Sequence, residues 1–445
     1  MPLFSLPGVH VPHRKNTSNM AAVKGFMPKT VLIPTAMHIG KPANVCVKVN
    51  QQVKVGEIIA AADGFVSSNI YSSVSGKVKK IENILLSSGS YAPAVLIESD
   101  DLYTPFEGIT PPEITDYKSF INALSNSGIV GLGGAGFPTQ VKLSVKDLSL
   151  IDEIIINGAE CEPYITSDTR TMIDDAEKIK EGVELFKKYL LAKKITIGIE
   201  KNKPEAIKKM SETFASDSTV TVKALPSLYP QGGEKVLIYN ITGKVVPEGK
   251  LPIDVGVIVI NCTTVAAIAD FVKTGMPLVN KCVTIDGSAI KEPKNVYAPI
   301  GSSISDLIEF AGGFKEEAGK VLYGGPMMGI AVPDLNAPIL KNTNAVIALN
   351  KKDSVTPEPT ECIRCGMCVS HCPFNLQPIK IAAAYNNKDG AELKDLKVNL
   401  CMECGCCSFI CPARRPLVQT NRLAKGLLRE YLAIEAKKAK EASEK

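Results

Sequence analysis

Two short runs of cysteine restrict this chain more than anything else in it. The first reads Cys362-x-x-Cys365-x-x-Cys368-x-x-x-Cys372-Pro373, the second Cys401-x-x-Cys404-x-x-Cys407-x-x-x-Cys411-Pro412. Three thiolates at this spacing wrap one iron–sulfur cube in a tight loop, and the fourth cysteine of each run ligates the cube of the other. One [4Fe–4S] cluster is therefore assigned to Cys362, Cys365, Cys368 and Cys411, the other to Cys401, Cys404, Cys407 and Cys372. Gly366 and Gly405 let the backbone turn closely, and Pro373 and Pro412 break the chain after the fourth ligand. Paired C-x-x-C units also make zinc ribbons, but two complete three-plus-one copies ending in Cys-Pro fit zinc poorly. Of the 13 cysteines, only Cys46, Cys161, Cys262 and Cys282 lie outside this stretch. Such crowding in a chain without an export signal means metal rather than disulfides. Cys406, out of register beside Cys407, reads as a spare buried thiol.

At 445 residues the chain exceeds one hydrophobic core and divides into three or four domains. Its net charge of +5 is too small for its size to argue for nucleic acid. Apolar runs such as 255–260 are strand-sized rather than membrane-spanning. Residues 1–15 carry Pro and His where a signal peptide needs an apolar stretch. A soluble, cytosol-facing protein is expected.

Texture changes along the chain mark multidomain α/β and α+β organisation. Residues 31–98 alternate in short runs broken by Asn50-Gln51, Asp63-Gly64, Ser75-Gly76 and Ser88-Gly89, which predicts a small all-β domain within 1–115. It resembles the barrel-sandwich hybrid of biotinyl and lipoyl carriers. Lys77, however, is not in an attachment context, so a structural role is preferred. Residues 116–275 read as α/β, with buried strands at 154–156, 195–199, 220–225 and 255–260 and helices at 172–191 and 203–214. A β-grasp (SLBB-like) α+β unit with a helix at 305–311 is expected over 276–350. A Pro-containing linker at 356–359 leads to the two-cluster ferredoxin domain, 356–420, with a helix near 379–385. After Pro416 a helix is expected, running into the tail, 421–445, with Leu423, Leu427 and Tyr431 at helical spacing. Glu430, Glu435, Glu441 and Glu444 offset its lysines, which favours a partner or plain solvation over a membrane surface.

The α/β region carries a glycine loop, Gly131-Leu132-Gly133-Gly134-Ala135-Gly136-Phe137-Pro138-Thr139, ahead of Lys142. Alone, such a loop is weak evidence, since turns and close packing also use glycine. Three more segments follow expected strands: Asn157-Gly158-Ala159-Glu160-Cys161-Glu162-Pro163, Gln231-Gly232-Gly233-Glu234-Lys235 and Asn261-Cys262-Thr263-Thr264. Ligands bind at the carboxyl ends of the strands in open α/β sheets, and the second segment leads into a helix whose N-terminus favours an anion.

These segments resemble the NADH- and FMN-binding subunit of respiratory complex I. The order β domain, flavin domain, β-grasp domain and ferredoxin module resembles the RnfC family, from the Rnf ferredoxin:NAD oxidoreductase complex. That resemblance implies non-covalent FMN, NAD(H), two [4Fe–4S] clusters and docking on membrane-embedded Rnf partners that move Na⁺ or H⁺. The chain would be a peripheral subunit on the cytoplasmic side of the membrane. By motif, Gly131, Gly133 and Lys142 would contact the FMN phosphate and ribityl region. Gly134, Gly136, Asn157, Glu160, Gly233, Glu234, Asn261 and Thr264 belong to the same site, and Phe137 and Glu162 to the nicotinamide nucleotide. Where complex I has Asn-Ala-Asp-Glu this chain has Asn157-Gly158-Ala159-Glu160, and where it has Gly-Glu-Glu this chain has Gly233-Glu234-Lys235.

The parts belong together chemically. NADH gives up two electrons at once, a cluster accepts one, and a flavin converts between them, so no side chain need be acid or base. Glu160 and Glu162 could equally cap a helix start. His371 reads as an exposed loop histidine rather than a sulfur ligand's donor, and Cys161 as a structural thiol. Alternatives are a soluble cobalamin-reductase-like flavoprotein and a flavin-free iron–sulfur relay.

Overall fold

Alternation of apolar and polar residues builds the first domain as a sandwich. In the computed structural model, which describes residues 5–87 and 89–443, one sheet orders Thr30–Pro34, Tyr91–Ser99, Gly76–Leu85 and Gln52–Val53. A smaller sheet orders Asn44–Val45, Ile58–Ala61 and Ile70–Tyr71. Val31, Ile33, Ile59, Ile70, Val78 and Ile97 fill the space between them. Ser88 and Glu444 lie outside the described residues. Lys77 pairs within the ladder, opposite Gln52 and Glu98, and is not at a hairpin tip where a carrier arm would hang.

Four parallel strands form the second domain: β1 (Glu153–Gly158), β2 (Ile195–Glu200), β3 (Val220–Leu225) and β4 (Val257–Asn261). Their spatial order is β3-β2-β1-β4. The chain winds outward through β2 and β3, then returns to the other side of β1. Edge strand β3 is only partly buried, so the expectation of four buried strands holds for the other three.

The helix expected over 172–191 is two, α1 (Ser167–Asp174) and α2 (Ala176–Tyr189). Asp175 breaks them with φ −115° and ψ 30°. Its carboxylate accepts from the Tyr297 hydroxyl and pairs with Lys178 at 3.6 Å. Two further helices, α3 (Glu234–Thr242) and α4 (Cys262–Thr274), begin within the second and third strand-end segments.

The third domain is a five-stranded mixed sheet, in which Asn280–Asp286 runs parallel to Ala345–Asn350. Helix Ile304–Phe310, capped by Ser303, packs on it through Ile304, Leu307 and Ile308. In the ferredoxin domain the two cysteine runs fold alike. Arg364 and Gly366 take φ of 55° and 76°, Glu403 and Gly405 60° and 79°. Each loop then enters a short helix, Met367–Ser370 or Cys406–Phe409. The last helix, α5 (Leu417–Ser443), starts directly after Pro416 as expected and packs on Pro378–Asn386.

Lys341 joins three domains at one atom. Its side chain is 1% exposed, and its ammonium donates to Ser68 Oγ at 3.2 Å, Asn69 O at 2.6 Å and Gly128 O at 2.7 Å. Burial pushes its pKa down to about 7, whereas in the unfolded chain it lies near ~10.4. Between those values the unfolded state binds the extra proton, so stability rises with pH across that window and falls as pH drops toward 7. Replacing Lys341 with Met should flatten the rise in unfolding free energy between pH 7 and 9, measured by denaturant titration.

Candidate functional site

Strands β1 and β4 are neighbours at the point where the winding direction reverses, and Asn157 and Asn261 are register partners at their carboxyl ends. A crevice at such a reversal is where open α/β sheets take ligands. Asn157 donates from Nδ2 to Gly232 O at 2.9 Å and accepts at Oδ1 from Ala159 N. Asn261 caps α4, accepting at Oδ1 from Thr263 N and Thr264 N, and donates to Asp168 Oδ2 at 2.7 Å.

The glycine loop closes over these strand ends. Gly131 N donates to Phe137 O at 2.8 Å, and Leu132 N donates to Thr264 Oγ1 at 3.0 Å. Buried Lys281 donates to Leu132 O from below. A Cβ on Gly133 would stand 2.3 Å from Asn261 Nδ2, whereas Gly134 faces open space. Gly133 to Ala135 are exposed and Gly136 is buried with φ 70°. Phe137 is half-buried at the loop's exit.

Gly233 is the N-cap of α3 and offers no side-chain cap, so the first N–H groups of the helix and its dipole are available to an anion. Lys142 Nζ approaches the same turn, 2.6 Å from Glu234 Oε1 and 2.9 Å from Val259 O. The structure thus brings together the glycine loop, Lys142, Asn157, Gly233, Glu234, Asn261 and Thr264. Backbone donors, an uncapped helix start and one amine suit a phosphorylated planar ligand such as FMN.

The two acids are held by protein partners. The Glu160 carboxylate caps α1, accepting from Asp168 N at 2.7 Å and from the Thr169 N–H and hydroxyl. Glu162 accepts from Met327 N at 3.1 Å and Met328 N at 2.8 Å. Burial raises the pKa of both carboxyls. Cys161 accepts from Gly232 N at 3.3 Å, and burial pushes its pKa up, so it stays a thiol.

The cysteine runs exchange their fourth members. Cys411 lies within electrostatic reach of Cys368, as does Cys362. Cys372 lies in the same way beside Cys401 and Cys404, and all three lie beside Cys407. Four soft thiols in the second group, and Cys362, Cys368 and Cys411 in the first with Cys365 on the same exposed loop, fit two iron–sulfur cubes. Among the described residues, no three Cys, His, Asp or Glu side chains converge tightly enough for a single ion. Cys406 is 1% exposed, with its thiol 3.8 Å from Tyr229 O. His371 Nδ1 is 2.9 Å from Met367 O, within its own loop.

The second-run group abuts the crevice. Met402 lies where a Gly233 Cβ would meet its Cε at 2.4 Å, and Tyr229, Cys161, Cys404 and Cys406 share one apolar cluster. Cys362 and Cys365 of the first run are exposed.

Sequence reasoning missed Lys15. Its ammonium donates to Glu160 O and Glu162 O, both at 2.8 Å, and to Ile165 O at 2.6 Å. Nothing in its local sequence signals this, because the acceptors lie more than a hundred residues away. The Met327–Met328 contact to Glu162 was also missed. The turn signal Gly324-Gly325-Pro326 was present, and Gly325 leaves the space that a Cβ would take 2.2 Å from Glu162 Oε2.

Four family models match in chain order. They are the RnfC barrel sandwich hybrid domain over residues 5–102, the Nuo51 FMN-binding domain over 124–270, the SLBB domain over 282–331 and the 4Fe-4S dicluster domain over 361–414. The chain is 43% identical to the C-subunit of the proton-translocating ferredoxin:NAD(+) oxidoreductase complex of Clostridium ljungdahlii, over 83% of this chain and 82% of that one. It is 42% identical to the Na(+)-translocating counterpart of Acetobacterium woodii, over 84% and 86%. The C-subunit of the ion-translocating oxidoreductase complex of Rhodobacter capsulatus is 37% identical over 95% of this chain and 83% of its own. A chain of an NAD+-reducing [NiFe]-hydrogenase superposes over 72% of this chain and 61% of its own at 18% identity, with a TM-score of 0.48.

Changing Lys15 to Met would strand three carbonyl acceptors beneath the crevice. A loss of about 3 kcal/mol in unfolding free energy is expected, measured by denaturant titration.

Proposed function

Because the chain belongs to the RnfC family, we propose that it is a subunit of an Rnf-type membrane complex, exchanging electrons between NAD(H) and two [4Fe–4S] clusters through non-covalent FMN. The observation that carries this is the register pair Asn157–Asn261 at the sheet reversal, roofed by the glycine loop and walled by the second cysteine run. Bound FMN supplies the conversion between two-electron hydride and single electrons.

The side chains bind and orient. The uncapped start of α3, the N–H groups of the glycine loop and the Lys142 ammonium receive the phosphate. Asn157, Asn261 and Thr264 hold the floor, and Gly131, Gly133, Gly134 and Gly136 keep the roof close. Glu160 and Glu162 shape the nucleotide side by fixing α1 and the Met327–Met328 loop, and Phe137 borders the entrance. No side chain acts as acid or base.

Cys401, Cys404, Cys407 and Cys372 hold the cluster nearest the crevice. Cys362, Cys365, Cys368 and Cys411 hold the outer one, which faces a partner. When bound, the two clusters would supply one-electron carriers between the crevice and that partner. Partners are the membrane-embedded and ferredoxin-accepting subunits of a complex that couples ferredoxin:NAD oxidoreduction to Na⁺ or H⁺ transport. Among the described residues no helix is long and apolar enough to cross a membrane. On our reading the chain is a peripheral subunit on the cytoplasmic side.

Anaerobic titration of the reconstituted chain with NADH should bleach a flavin absorbance band and raise reduced-cluster EPR signals. Iron and sulfide without flavin, and no response to NADH, would replace this reading with a plain electron relay. Gly133→Ala pushes Asn261 aside and should weaken FMN retention about 10-fold, or about 1.4 kcal/mol, read by equilibrium dialysis. Cys411→Ser should cut iron from roughly eight to roughly four ions per chain while leaving the second-run cluster in place.

A further inference from the structure

Helix α5 buries a stripe made of Leu417, Val418, Asn421, Ala424 and Leu428. Four are apolar and one is an amide. Asn421 is 1% exposed, and its Nδ2 donates to Cys401 Sγ at 3.5 Å. Its Oδ1 is shut away from solvent with no hydrogen-bond partner. An orphaned buried carbonyl oxygen is a net penalty that a leucine of similar volume would avoid. What the position gains from an amide is therefore the N–H directed at sulfur.

The internal repeat of the ferredoxin domain sharpens the point. Ten residues beyond Cys411 comes Asn421; ten beyond Cys372 comes Ala382, also buried, at 4% exposure. The two halves keep the same loop conformations but differ here by one amide donor. The following turn of α5 steadies the same ligand loop. Lys425 donates to Cys401 O at 3.1 Å and to Glu403 Oε1 at 2.7 Å, and Arg422 donates to Glu403 Oε2 at 3.1 Å. Glu403 N is 3.4 Å from Cys401 Sγ.

We propose that Asn421 is a positioning residue for the second-run cluster, whose side-chain N–H donates to the Cys401 sulfur and raises that cluster's reduction potential relative to the outer one. Hydrogen bonds to cluster sulfurs stabilise the more negative, reduced form and so raise the potential. Ala382 offers no such donor to the outer cluster, so nearly identical cysteine loops acquire different potentials. The proposal rests on Cys401 being a ligand of that cluster.

The test uses the full chain reconstituted anaerobically, with iron content and an EPR-monitored redox titration. In Asn421→Leu one of the two one-electron steps should move to lower potential and the other should stay. The expected change is a roughly tenfold fall in the reduction equilibrium constant, which is 59 mV for one electron. Asn421→Asp should lower the same step further, because a carboxylate cannot donate and adds negative charge. Unmoved potentials at full iron content would overturn the proposal. If the leucine variant loses iron, the unaltered chain labelled with ¹⁵N-asparagine still decides. A ¹⁵N coupling to one reduced cluster is expected, and its absence would overturn the proposal. Cys401→Ser with full iron content would instead sink the ligand assignment beneath it.

Discussion

An electron leaving a flavin crosses only a short gap, so the ferredoxin domain has to be fixed against the strand ends of the α/β domain. One carboxylate does much of the fixing. Glu162, at the mouth of β1, accepts from Met327 N and Met328 N of the β-grasp domain and faces the Tyr229 hydroxyl at 3.4 Å. The Met327 carbonyl lies where a Cβ on Gly405 would meet it at 2.9 Å, next to Cys404. Flavin domain, β-grasp loop and second cysteine run are thereby stacked through one half-buried acid. Burying that charge is costly, which is why its pKa rises, and the two backbone N–H donors offset part of the cost.

The N-terminal segment ties the same junction from the other side. Val9 pairs with Tyr229 through both of its backbone groups. Lys15 gathers three carbonyls of the segment after β1, and its burial lowers its pKa while that of Glu160 rises. Thr17 and Thr166 share a hydroxyl contact with Asn295 beside them. A segment without regular structure is thus a strap across two domains, since its backbone groups find partners in both.

The cysteine runs were legible because spacing alone determines which sulfurs can share a cube. The parallel strands were legible because buried β-branched runs between helices have few other readings. Helix α1 was not. Its residues 167–171 are Ser, Asp, Thr, Arg and Thr, with no apolar period, and the helix forms because Glu160 caps it and Arg170 pairs with Asp174. Glu160 and Glu162 were read as ligand contacts or caps. The structure gives Glu160 to a helix start and Glu162 to another domain, a tertiary outcome that spacing does not encode. Lys15 and Lys341 were invisible for the same reason, since every acceptor they use is remote in sequence.

Burial grades the two cysteine groups in a way that suits a directional chain of carriers. Cys404 and Cys407 are buried, whereas Cys362 and Cys365 are exposed on a loop that also presents Ile363, 67% exposed, and Arg364. Water and mobile charge stabilise the more negative form of an exposed cluster, whereas a buried one must find that stabilisation in protein dipoles. The inner group has such dipoles close at hand in the Glu403 and Asn421 N–H groups on Cys401. A twofold-repeated ferredoxin loop can therefore serve two unequal positions without altering its ligands, because the inequality is carried by the residues packed behind them.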